Sequence, residues 1–148
     1  MRIIDGIRRS GIGIAPDRTI TDAAVLMDEA GVGSLAVVDN HELVGIVTDR
    51  DLVRRAMAKR LAPDARVDSV MSLPVVTIDA EADIHGAFAL FRRHAVRRLA
   101  VVRDGQFVGM ITIDDLLIDL AADLADLARP VTAEVLFSHR DSPTPVET

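Results

Sequence analysis

The chain has 148 residues, 17 basic and 23 acidic side chains for a net charge of −6, and a hydrophobic content of 49% with only 3% aromatic residues. Its core must therefore be aliphatic. Disorder over the whole length is excluded, and the acidic balance argues against general affinity for nucleic-acid backbones, which depends on cationic contacts to phosphate.

No apolar run approaches the ~18 residues of a membrane span, and the leading MRIIDGIRRSG lacks the apolar stretch of a secretory signal. The absence of cysteine excludes disulfides, thiolate nucleophiles and Cys-ligated zinc, and fits a reducing, cytoplasmic setting.

An internal repeat organises the elements. VGSLAVVDNHELVGIVTDRDL (Val32 to Leu52) aligns without gaps on VRRLAVVRDGQFVGMITIDDL (Val96 to Leu116) at an offset of 64 residues, with 13 identities in the 33 pairs from Ile20/Ile84 onward. The offset extends backwards, pairing Ile3 with Val67, Ile7 with Met71, Ile12 with Val76 and Ile14 with Ile78. Two units follow, at 2–62 and 66–127, with a tail at 129–148.

In each copy a short extended piece (Gly11 to Ala15; Val75 to Asp79) precedes a helix. Its buried face is Ile20, Ala23, Ala24 and Met27, or Ile84, Ala87, Phe88 and Phe91. Thr19 or Thr21, and Asp83, are the expected N-caps, and Gly31 the C-terminal left-handed residue. Leu35 to Val38 and Leu99 to Val102 read as buried strands. Asp104-Gly105 then gives a strong hairpin signal, and Asn40-His41 a weaker one. Second strands at Leu43 to Val47 and Phe107 to Ile111 lead into second helices that begin at Thr48 and Thr112. The helix after Thr112 is the longer, with a stripe of Leu116, Leu117, Leu120, Leu124 and Leu127 that suits both core and self-association, and Pro130 is expected to end it. The tail holds one apolar cluster, Val135 to Phe137, before a polar stretch expected to be disordered.

The chemically suggestive feature is GIVTDRD (Gly45 to Asp51), recurring as GMITIDD (Gly109 to Asp115). Thr48 and Thr112 stand where a strand hands over to a helix, whose unpaired N–H groups suit a phosphate. Asp51 and Asp115 would repel a phosphate but can accept both hydroxyls of a ribose. The same T-x-x-D spacing also makes a capping box, and one residue can serve both ends.

The doubled pattern, with GIVTDRDL and GMITIDDL closing the copies and VDSVMSLPVVTI opening the second, resembles the cystathionine-β-synthase (CBS) domain, two of which form a Bateman module. The resemblance covers residues 2 to about 127. It implies an α/β (α+β) fold of two tandem β-α-β-β-α units packed as a pseudo-two-fold pair. It also implies clefts that take up AMP, ADP, ATP, S-adenosylmethionine or related adenosine compounds. By position, Asp51 and Asp115 would hold ribose, and Thr48 and Thr112, with nearby Arg, phosphate. Gly13, Ile14, Thr77, Ile78, Ser34 and Arg98 would line the clefts. Many relatives carry Pro where this chain has Ala36 and Ala100. The copies are also unequal: Arg97-Arg98 stands opposite Gly33-Ser34, and Ile113-Asp114 opposite Asp49-Arg50. Arg97 and Arg98 make copy two the favoured phosphate site, while Arg50 can serve either cleft. Modules of this family commonly pair into a flat homodimer.

Arg92, Arg93, Arg97 and Arg98 suit the solvated C-terminus of a helix, with phosphate capture as the alternative. The four histidines show no metal spacing, and GIGIA lacks the third glycine of a dinucleotide fingerprint. The expectation is a non-catalytic sensor of an adenosine ligand, with no required cofactor, no nucleic-acid or membrane partner, and an unidentified protein target. The alternative is a ligand-independent dimerisation or docking module whose Thr and Asp residues are only caps.

Overall fold

The structure, a computed structural model, describes residues 2–6 and 11–137. The pairing of Ile7 with Met71 and the expectation of disorder at the end of the tail fall outside the described residues. So do the side chains of Val135 to Phe137.

Each copy forms one three-stranded sheet. The first holds β1 (Gly13–Ile14), β2 (Ser34–Asp39) and β3 (Glu42–Thr48), with α1 (Ile20–Ala30) between β1 and β2. The second holds β4 (Thr77–Asp79), β5 (Arg98–Arg103) and β6 (Gln106–Thr112), with α3 (Ile84–His94) in the equivalent place. The outer pairs β1·β2 and β4·β5 are parallel, and the hairpin pairs are antiparallel. The 64-residue offset is kept in three dimensions. Ser34 faces Thr48 as Arg98 faces Thr112, and the ladder slips at Val37/Val38 as it does at Val101/Val102.

Local chemistry explains the boundaries. Thr19 caps α1 in a reciprocal box with Asp22, and Gly31 ends it in the left-handed region at φ 64°. Asp83 caps α3 by accepting from the His85 N–H. Both hairpins turn through two residues of positive φ, Asp104 and Gly105 in copy two, and Asn40 and His41 in copy one. The weaker sequence signal thus makes the same turn.

β2 and β5 read as continuous apolar runs because both faces are covered. Leu35, Ala36 and Val37, like Leu99, Ala100 and Val101, are wholly buried. Ala36 N–H donates to the Ile12 carbonyl and Ala100 N–H to that of Val76, each at 3.1 Å. The alanines at these two positions thus contribute ladder bonds that a proline, lacking an N–H, could not make.

The copies exchange their leading segments. The turn Ile3–Gly6 ahead of copy one docks on copy two, with Ile3 N–H donating to the Ala82 carbonyl at 2.9 Å and Arg2 pairing with Glu81 at 2.9 Å. The turn Val67–Ser69 ahead of copy two docks on copy one, with Val67 N–H donating to the Arg18 carbonyl at 2.8 Å. Ile3 and Val67, and Ala82 and Arg18, are repeat equivalents, so the exchange is the pseudo-two-fold pairing expected of the units. Ile3 and Val67 are both fully buried, which makes each copy's core depend on the other.

The second helices diverge. In copy one α2 (Asp49–Asp51) widens at once into a π-helical run, Leu52–Met57. In copy two α4 (Ile113–Phe137) runs for 25 residues, passing through Pro130 rather than stopping there. Pro130 removes one backbone donor, but its φ near −65° is itself helical, and Ala128, Ala133 and Leu136 around it favour helix. The chain forms two compact units, the first ending at Ile113 and the second containing the rest of α4. In that second unit Leu116 is the one residue of the expected stripe that is buried, whereas Leu117, Leu120, Leu124 and Leu127 are exposed.

Candidate functional site

One cleft in the first unit is built across the two copies. A cavity of about 260 Å³ is lined by Ile46 and Thr48 of β3, by Ser72, Pro74, Val75 and Val76 ahead of β4, and by Val96, Arg97 and Arg98 at the start of β5. Copy one contributes a strand end and copy two its leading segment. The two are stitched by a reciprocal pair of bonds, Ser72 N–H to the Ile46 carbonyl at 2.7 Å and Ile46 N–H to the Ser72 carbonyl at 3.2 Å.

Thr48 is the N-cap of α2. Asp51 N–H donates to Thr48 Oγ1 at 3.1 Å and Thr48 N–H donates to Asp51 Oδ2 at 3.0 Å, a closed capping box. The Asp51 carboxylate also accepts from the Ser72 hydroxyl, 3.3 Å from either oxygen, and lies 3.8 Å from Arg55 Nε. Arg55 in turn donates to the carbonyls of Val70 and Met71 at 3.4 and 3.1 Å, which ties the π-helical run to the segment ahead of β4. Asp51 therefore caps its helix and anchors the neighbouring copy.

Arg98 reaches towards copy one. A methyl group placed on Gly33 would sit 3.7 Å from Arg98 Nη2 and 3.1 Å from Asp49 Oδ2. The Arg pair foreseen beside copy two's own motif thus lines the cleft that holds Thr48. Thr112 ends β6 opposite Arg98, and Asp115 lies in the second unit.

The remaining sequence candidates scatter. Gly13 and Ile14 border a separate groove with Arg18, Asp22, Val25, Leu26 and Glu29. Thr77 borders another with Glu42, Leu43, Leu73 and Gly105. Ile78 is buried, Ser34 pairs with Thr48 across the hairpin, and the exposed Arg50 gives its N–H to Asp49. Sequence reasoning missed Ser72, Arg55 and the apolar floor of Pro74, Val75, Val76 and Val96. For the floor a signal existed, because Val75 and Val76 belong to the extended piece already placed beside the cleft. Ser72 and Arg55 carried none, since each acts through a bond to the other copy.

Two exposed carboxylates are perturbed. The Thr19 N–H, followed by its hydroxyl, holds Asp22 below the ordinary carboxylate value, and the His85 N–H does the same for Asp83. Among the described residues no group of three or more His, Cys, Asp or Glu is placed to hold a metal, and no helix is long and apolar enough to cross a membrane.

Known proteins share this arrangement. The CBS domain model matches residues 7–58 and again 67–122. CBS domain-containing protein YhcV of Bacillus subtilis is 33% identical over 106 residues, covering 72% of this chain and 76% of that protein. An uncharacterised protein of Methanopyrus kandleri is 34% identical over 113 residues, which span 74% of this chain but only 58% of the archaeal one. In three dimensions, the CBS domain protein PAE2072 of Pyrobaculum aerophilum, crystallised with AMP, gives a TM-score of 0.71 at 26% identity, covering 82% of this chain and 99% of that one. A hypoxic response protein I with two coordinated zinc ions gives 0.71 at 29% identity, covering 79% and 97%. With two matched copies spanning most of its length, the chain belongs to the CBS-domain family.

Proposed function

We propose that this tandem CBS module is regulatory and binds a phosphorylated adenosine compound in the cleft between β3 and the start of β5. The observation that carries this reading is that Thr48, Arg97 and Arg98 line one cleft together with an apolar floor. Pro74, Val75, Val76 and Val96 suit the faces of a purine. The Thr48 hydroxyl and the two guanidiniums suit a phosphate, for which arginine is a bidentate partner. At about 260 Å³ the cavity lies just below the usual range of ligand pockets, which favours a mononucleotide over a dinucleotide. The AMP bound by the Pyrobaculum aerophilum protein supports the same ligand class. A ribose diol would meet Asp51 by taking over the bonds now made by Ser72.

The test is a thermal-shift and calorimetry panel with AMP, ADP, ATP, NAD and S-adenosylmethionine. A ligand at about 100 times its Kd stabilises the fold by ~2.7 kcal/mol, and the shift is expected to vanish in an Arg97→Ala/Arg98→Ala variant. A panel in which no compound shifts the wild type more than that variant rejects the reading. The closed capping box favours a second reading, a docking module whose Thr48 and Asp51 only terminate a helix. Under it Asp51→Ala lowers stability and changes no binding event.

A further inference from the structure

Arg98 has an acidic neighbour from the other copy. The point at which a Cβ on Gly33 would stand lies 3.7 Å from Arg98 Nη2 and 3.1 Å from Asp49 Oδ2, so the guanidinium of copy two and the carboxylate of copy one flank the same gap. Glycine leaves that gap open, because a methyl group 3.1 Å from Oδ2 would press on the carboxylate. Two bonds hold Asp49 in place. Its N–H donates to the Gly33 carbonyl at 3.0 Å, and its Oδ1 accepts from the Arg50 N–H at 2.7 Å. Asp49 is exposed and stands one step along the chain from Thr48, which lines the cavity. The repeat equivalents of Arg98 and Asp49 are Ser34 and Ile113, so the two charges occur together in one place and the matching pair of positions carries neither.

We propose that Asp49 sets how much negative charge the cleft accepts and restricts it to a nucleoside monophosphate, an inference that rests on the nucleotide reading above. Among the described residues, Arg97 and Arg98 are the cations that line the cavity. They attract a phosphate, while Asp49, beside the head of Arg98, repels it. Both forces act across a gap shorter than the Debye length of ~8 Å at physiological ionic strength, so salt leaves them largely in place. A monophosphate held by two guanidiniums keeps a net attraction. Each further phosphoryl group adds negative charge at the same rim without a further lining cation, and the repulsion from Asp49 grows in proportion to that charge. The carboxylate therefore discriminates by charge, whereas the apolar floor discriminates by shape.

Calorimetry of the full chain with AMP, ADP and ATP, magnesium excluded, tests this. The wild type is expected to bind AMP most tightly and ATP least. Asp49→Asn keeps an oxygen to accept from the Arg50 N–H, and is expected to tighten ATP binding by about tenfold or more and AMP binding by less than about threefold. Asp49→Glu, which keeps the charge, is expected to keep the wild-type order. Asp64→Asn makes the same change of net charge in the segment joining the copies, and is expected to leave the order untouched. A wild type that binds ATP as tightly as AMP overturns the proposal and leaves the nucleotide reading standing. So does an Asp49→Asn variant whose AMP-to-ATP ratio moves no more than that of Asp64→Asn, or an Asp49→Glu variant that behaves like Asp49→Asn. A wild type that binds none of the three overturns both.

Discussion

Copy one and copy two bury the same positions and differ where burial ends. Leu35-Ala36-Val37 and Leu99-Ala100-Val101 occupy matching places in matching sheets, and the ladders slip at the same point. The residues just ahead of these runs diverge completely, Gly33-Ser34 against Arg97-Arg98, and so do the helices that follow, a short turn with a π-helical run against 25 residues of α-helix. Packing holds the core positions to one solution, because a buried site tolerates little change in volume. The rims carry no such demand. There the copies differ in what they bring to one cleft, Thr48 from copy one and Arg97 and Arg98 from copy two.

The largest expected effects test the equivalence of the cores. Leu35→Ala and Leu99→Ala are each expected to cost about 2–5 kcal/mol, measured by denaturant unfolding. A difference between them larger than about 2 kcal/mol would break the symmetry of the two cores. Next comes the asymmetry of the rim. Arg98→Ala is expected to weaken AMP binding by about tenfold or more, as befits a charge-assisted bond of roughly 1.5–3 kcal/mol, whereas its repeat equivalent Ser34→Ala changes affinity less than about threefold. Calorimetry showing equal losses would refute the cross-copy cleft.

The hairpins differ more gently. His41 holds φ 69° with a side chain, where copy two places Gly105 at φ 76°. His41→Gly is expected to raise stability by up to about 1 kcal/mol and Gly105→Ala to lower it by a similar amount, read by thermal unfolding. The smallest effect concerns the first helices. Asp22 and Asp83 both titrate below the ordinary 3.8 because N–H groups stabilise their charged forms. Their contribution to stability is present above that value and is lost as the pH falls through the lower folded value. Asp22→Asn and Asp83→Asn should each flatten the acid limb slightly, since both groups are exposed. A slope unchanged in both variants would remove this role.

Much of this architecture was legible in residue order alone. The 64-residue repeat, the buried strands, a cap at Thr19 or Thr21 that the structure places at Thr19, Thr48 and Asp83 as further caps, Gly31 as a helix stop and both hairpins follow from periodicity and from bonds spanning a few residues. Tertiary structure decided the rest. Thr48 shares a cleft with Arg97 and Arg98, Ser72 meets Asp51, and Arg55 meets the Val70 and Met71 carbonyls, only because the copies exchange leading segments and pair Ile46 with Ser72. No local pattern encodes such partners. Pro130 shows the same limit from the other side: a residue that locally disfavours a helix, by its missing N–H and its ring, lies inside α4, which runs on past it.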